Sequence, residues 1–158
     1  MSKQLSRREM CGTLMVTAAA AVAWPLAVEG QAKPALTVYK DPSCGCCEAW
    51  VQHMKANGFT ATVTNTSDVD RIKKQHGVTD ALASCHTALI GGYVVEGHVP
   101  AADVTRLLTE KSKTIKGLTI PGMPASAPGM DMKPFKPYTV LSFDAQGKTA
   151  VFAEHKTA

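Results

Sequence analysis

The sequence predicts an α/β domain: a mixed central sheet with flanking helices, followed by a Met-, Pro- and Gly-rich loop and a β-hairpin. Three observations predict it. Apolar residues alternate in short β-rich runs and recur at helical spacing between them. The first run passes through a helical segment to a second run, which calls for a parallel strand pair joined by a right-handed crossover. Further on, two β-rich runs flank Gly91-Gly92, the signature of a tight hairpin, which adds antiparallel strands.

The elements follow in order. "ALTVYK", Ala35 to Lys40, is short and β-rich and reads as a buried strand. Asp41-Pro42 opens a turn, and from Glu48 the spacing of Ala49, Trp50, His53 and Met54 predicts an amphipathic helix that Asn57-Gly58 ends. "FTATVTN" alternates as a second strand, and "DVDRIKKQHG" predicts a short helix stopped by Gly77. After the loop "VTDALASCH" comes the hairpin "TALI-GG-YVVEG". Pro100 suits the first turn of a helix running to about Lys113. Ile120 to Pro137 carries too many Pro and Gly for a helix or strand of its own, and "YTVLSF" and "TAVFAE" form a last hairpin. With a cysteine motif between first strand and first helix, this is the thioredoxin-like order.

The 158 residues favour one domain, and the 45 % apolar content suffices for its core. Residues 1–32 read as a cleaved export signal with a twin-arginine-like head, leaving 33–158 as the domain. Lys3, Arg7 and Arg8 charge its start. Thr13 to Ala23 is apolar but shorter than the roughly 20 residues of a membrane span. No stable membrane span is therefore expected after cleavage, and the expected location is the periplasm. The net charge of +4 is too mild and scattered to argue for nucleic acid. Cys11 should leave with the signal.

Four cysteines then remain. Cys44, Cys46 and Cys47 stand together in "DPSCGCCEAW", and Cys85 lies in "SCHTALI". A Cys-x-x-Cys pair at a helix start has unpaired N–H groups and a positive dipole end beside it, which stabilise thiolates. Both disulfide exchange and metal ligation use the thiolate, so the pair alone leaves three readings: a soft-metal site, a redox couple, or a structural disulfide beside an idle thiol. Three thiolates in one turn favour the metal, since they suit Cu(I) or Zn(II). The thioredoxin-like order brings Cys85-His86-Thr87 to face the cysteine loop, where thioredoxins usually carry a cis-proline. That departure weakens plain thiol exchange and supplies a further thiol and an imidazole.

With these residues in place, "VYKDPSCGCCEAWVQHM", "SCHTALIGGYVVEGHVPAADVTRLL" and "IPGMPASAPGMDM" together resemble the CopG-type periplasmic copper-resistance proteins, from about Leu36 to the end of the chain. The resemblance implies a thioredoxin-like fold, copper as the bound metal, and a part in copper handling that includes copper redox chemistry. By position it implies Cys44, Cys46, Cys47, Cys85 and His86 as copper ligands or redox thiols. Silver is the expected chemical mimic of Cu(I), and other periplasmic copper-handling proteins are the expected partners.

Other soft or imidazole groups are secondary candidates. Met123, Met130 and Met132 could supply thioethers or a lid, or fill gaps beneath a loop. His98 stands at the hairpin's end as an additional ligand or a turn residue. His53 lies seven residues beyond Cys46, about 10.5 Å along a helix, too far for one ion to bridge. His76 and His155 read as surface residues. Two other functions remain open: a thiol–disulfide oxidoreductase using Cys44 and Cys47, and a copper chaperone without turnover. No catalytic triad, carboxylate dyad or phosphate loop stands out.

Overall fold

The structure is a computed structural model that describes residues 33–157; the predicted export segment, 1–32, lies outside the described residues. The elements are β1 (Leu36–Lys40), α1 (Gly45–Ala56), β2 (Ala61–Asn65), α2 (Val69–Gln75), β3 (His86–Ile90), β4 (Tyr93–Glu96), α3 (Ala101–Glu110), β5 (Gly117–Thr119), β6 (Tyr138–Phe143) and β7 (Thr149–His155). The strands form one sheet in the order β2-β1-β3-β4-β5-β6-β7. β1 pairs with β2 in parallel, as strand–helix–strand implies, and β3 with β4 antiparallel, as the hairpin implies; β1 also pairs antiparallel with β3. The fold is α/β and thioredoxin-like.

Hydrophobic burial explains the layers. Leu36 and Val38 on β1, Ala88 and Ile90 on β3, and Val95 on β4 are buried in one core with Val51 and Met54 of α1 and Val104 and Leu107 of α3. Trp50 is fully buried there, and its Nε1–H donates to the Val99 carbonyl at 2.8 Å, so the ring brings apolar area to the core without stranding its polar atom. The β3–β4 turn is made by Gly91 and Gly92, both at positive φ (56° and 85°), the backbone that a two-residue hairpin favours and that a side chain resists.

Two helix boundaries and one strand differ from expectation. Helix α1 begins at Gly45 rather than Glu48, so Cys44 is its N-cap and Cys46 and Cys47 lie in its first turn. Helix α3 ends at Glu110 rather than near Lys113, because Lys111 turns into the left-handed region at φ 49°. β5 was not foreseen: three residues are too few for alternation to show, and all three are buried. β5 runs parallel to β4 and antiparallel to β6, so it joins the last hairpin to the main sheet. Ile120 to Pro137 contains no helix or strand, as its composition predicts.

Candidate metal centre

Two loops meet above the ends of β1 and β3. The first leaves β1 at Lys40 and enters α1. Asp41 organises it: its carboxylate accepts from the Ser43 N–H at 2.8 Å and from the Ser43 hydroxyl, and its carbonyl accepts from the Cys44 N–H at 3.1 Å. Cys44 and Cys47 are joined as a disulfide, with Cα atoms 5.4 Å apart. Cys46 and Cys85 are free thiols, both half-buried. Cys46 Sγ lies 3.6 Å from Cys44 Sγ.

The second loop delivers Cys85 and the first residue of β3, His86. The sulphurs of Cys44, Cys46, Cys47 and Cys85 all lie within 4.8 Å of one another, and a donor atom from each of Cys85, His86 and His98 meets the same limit. Cys85 therefore belongs to both groups. Every residue expected at the site from "CGCC" and "SCH" is brought together. His98, for which a turn role was equally open, is fully buried beside them.

The hydrogen bonds define where the protons sit. His98 Nδ1 lies 2.7 Å from the Pro128 carbonyl, which can only accept, so Nδ1 carries the proton. Burial keeps this imidazole's pKa below the usual range, opposed by that bond and by Asp131, so Nε2 presents a lone pair. That atom lies 3.0 Å from Cys85 Sγ, which donates to it. Burial comes first in pushing the Cys85 thiol up to about 12, with the neighbouring Cys46 adding to it, so the thiol keeps its proton at neutral pH. His86 Nδ1 lies 3.3 Å from the same sulphur, whose one proton is already committed to His98; Nδ1 is then the donor. Among the described residues, His86 Nε2 is left buried without a hydrogen-bond partner. Desolvation drives the His86 pKa well below its ordinary value, helped by His98, Lys73 and Lys40, so this ring is neutral. A buried bare nitrogen is costly unless something uses it. The ring itself belongs to the group in which one nitrogen each of His86 and His98 lies within 4.8 Å of the Cys85 sulphur.

The Met-rich segment lies across this cluster. Pro128 reaches His98, and Ala127 is fully buried. Gly129 packs so closely on α1 that a Cβ there would stand 2.7 Å from the Trp50 nitrogen and 3.0 Å from the Cys46 carbonyl. Met130 is half-buried, whereas Met123 and Met132 are 56 % and 57 % exposed, so gap-filling does not explain those two. His53 stands apart from the cluster: its Nε2 accepts from the Ala101 N–H at 3.1 Å, at the start of α3. His155, read as a surface residue, is half-buried. It meets Asp103 Oδ2 at 2.8 Å and stacks on Tyr138.

Four contributing residues carried no motif that marked them: Trp50, Pro128, Lys73 and Glu96. Trp50 stacks obliquely on His86, with ring centroids 4.4 Å apart, but helical spacing marked it only as core. Pro128 acts through its backbone, which no motif reveals. Lys73 and Glu96 form a buried ion pair at 2.6 Å behind Cys85-His86; a Glu ending the apolar run "YVV" was the available signal. Burial raises the Glu96 pKa, and Lys73 with hydrogen bonds from Lys73, Thr87 and Ser84 pulls it back.

Comparison with known proteins agrees with this geometry. A family profile described as "Protein of unknown function, DUF411" matches residues 82–130, the span from the Cys85 loop to Met130. Two solved structures, named Copper resistance protein copG Form 1 and Form 2, each share 39 % identity with this chain and superpose with a TM-score of 0.73. Each comparison covers 78 % of this chain and 98 % of the other. No curated protein matches.

Proposed function

Because this chain belongs to the CopG family of copper-resistance proteins, we propose that it takes up Cu(I) as cargo in the periplasm, at the junction of the two cysteine-bearing loops. The observation that carries this reading is the convergence of four sulphurs and two imidazoles, with Cys85 common to both groups. Soft thiolates select Cu(I), and copper specifically, rather than zinc, rests on the family.

The chemistry follows from the protons. With the disulfide closed, Cys46, Cys85, His86 and His98 are the available donors. A dithiol reductant, itself oxidised to a disulfide, supplies the two electrons and two protons that open the Cys44–Cys47 bond to two thiols, completing the four-sulphur set. Cu(I) then replaces thiol protons, so uptake releases acid. Adjacent thiolates bridge metals, so the site suits more than one ion. His86 and His98 accept either oxidation state of copper, whereas the sulphurs favour the reduced one, and cycling between Cu(I) and Cu(II) would use that contrast. Met123 and Met132 present exposed thioethers on the segment that covers the site, suited to passing Cu(I) to or from a partner. Export of the domain by residues 1–32 is part of the same reading.

The closed disulfide favours a second reading, a thiol–disulfide oxidoreductase working through Cys44 and Cys47. One experiment separates the two. Residues 33–158 are reduced, loaded with Cu(I) without oxygen, and challenged with a strong Cu(I) chelator, beside the Cys85→Ser/His86→Ala variant. Copper retained by the wild type and lost from the variant supports the copper site. No retained copper, with disulfide-reductase activity that Cys47→Ser abolishes and copper does not affect, selects the exchanger.

A further inference from the structure

The Cys85-His86 turn is held from behind by groups that touch neither ligand side chain. Glu96 ends β4 directly opposite Thr87 of β3. Its Oε1 accepts from the Ser84 N–H at 2.6 Å and from Lys73 Nζ at 2.6 Å. Its Oε2 accepts from the Thr87 hydroxyl at 2.7 Å, and Lys73 Nζ also donates to that hydroxyl at 3.2 Å. The anchors therefore fall on residues 84 and 87, one on each side of the dipeptide that carries the thiol and the imidazole. The His86 carbonyl is fixed as well, by the Gly97 N–H at 3.0 Å. The ammonium side chain is 7 % exposed and the carboxylate 0 %.

Such a pair is a poor device for stability. Taking two charges out of water costs about as much as their attraction returns, and apolar residues of similar volume usually fold as well or better. What apolar residues cannot do is hold the Ser84 N–H and the Thr87 hydroxyl at fixed points. We propose that Glu96 and Lys73 are positioning residues that hold Cys85 and His86 in ligand geometry before copper arrives. The site then loses little chain entropy on loading, because its backbone is already ordered. This inference rests on the copper reading for its purpose, but not for its test.

The test uses residues 33–158 carrying Lys73→Met/Glu96→Leu, which removes both charges and keeps the volume, and, separately, the isosteric Glu96→Gln. Three quantities are measured: the thermal midpoint of the metal-free protein, Cu(I) retention against a chelator, and the alkylation rate of Cys85 relative to Cys46 with the disulfide closed. The expected result for the double variant is a midpoint somewhat below the wild type's, because the Ser84 N–H and the Thr87 hydroxyl lose their carboxylate acceptor. Cu(I) should be held about 10–100-fold more weakly, the range for losing an outer-shell partner. Cys85 should alkylate several-fold faster relative to Cys46, as a loosened turn requires. Glu96→Gln, which keeps one acceptor oxygen, should fall between the two. A well-folded double variant with wild-type retention and an unchanged alkylation ratio overturns the proposal. If the double variant does not fold, the same two readings from Glu96→Gln decide it. If the wild type itself retains no copper, the copper reading fails, while the alkylation ratio still shows whether the pair positions the turn.

Discussion

Cys85 donates its single proton to His98 and accepts one from His86, and its behaviour follows from where it is buried. Its thiol is pushed up to about 12 from an ordinary 9.0, by desolvation first and then by Cys46. In the metal-free protein with the disulfide closed, Cys85 should therefore alkylate slowly at pH 8 and its rate should still be climbing at about pH 11, as expected for a thiolate nucleophile. Peptide mapping after timed iodoacetamide treatment reads this; a plateau near pH 9 would contradict it. The sign for stability follows from the same shift. The unfolded chain releases this proton near its ordinary value and the folded chain does not, so the group's contribution is intact below pH 9 and is lost as pH rises towards about 12. Trp50 is the other residue that acts beyond its own volume, since it fills the core, bonds Val99 and lies against His86. Trp50→Ala should cost about 3–5 kcal/mol in urea unfolding, the range for removing a large buried aromatic side chain. The candidate donors were legible in the sequence because three cysteines stand together and His86 adjoins the fourth. Their protonation was not, because it depends on which neighbours exclude water.

At the scale of elements, two devices aim the donors. Helix α1 begins at Gly45, which sets Cys46 and Cys47 in its first turn, where the dipole favours thiolates. Its start was placed three residues late, because apolar spacing begins only at Ala49 and Gly45-Cys46-Cys47 offers no helical pattern. The second device is the Pro/Gly/Met segment, which reaches His98 through Pro128 and seats Gly129 on α1. Gly129→Ala should lift this segment: its φ of +86° disfavours a side chain, and the new methyl would meet the Trp50 nitrogen at 2.7 Å. The expected outcome is a loss of about 1–3 kcal/mol of stability, the cost of one such strained residue, together with faster alkylation of Cys46. Unchanged melting and unchanged Cys46 reactivity would show that the segment does not cover the site. Pro and Gly announced an irregular segment, but its path over the cluster depends on contacts with residues distant in the chain.

For the whole molecule, the sheet links binding to folding. The two loops converge only because β1 and β3 lie side by side, so donors 38 positions apart, at Cys47 and Cys85, meet only in the folded chain. Anything bound by the folded site alone must then stabilise the fold. Cu(I) at about 1,000 times its dissociation constant should add about 4 kcal/mol to the reduced protein, and a chelator should reverse the gain. Thermal melts with and without Cu(I) measure it; a midpoint that ignores Cu(I) would mean that the folded site does not bind it in preference to the unfolded chain. The order of elements, the parallel pair, the hairpins and the candidate donors were determined by the sequence itself, because apolar periodicity, turn residues and rare reactive side chains are local properties. The tertiary structure alone decided the rest: the short β5 that welds the last hairpin to the sheet, the proton chain from His86 through Cys85 to His98, the lone buried nitrogen of His86, and the ion pair that braces their turn. Each of these depends on desolvation and on contacts between residues far apart in the chain, and neither is written in any short stretch of it.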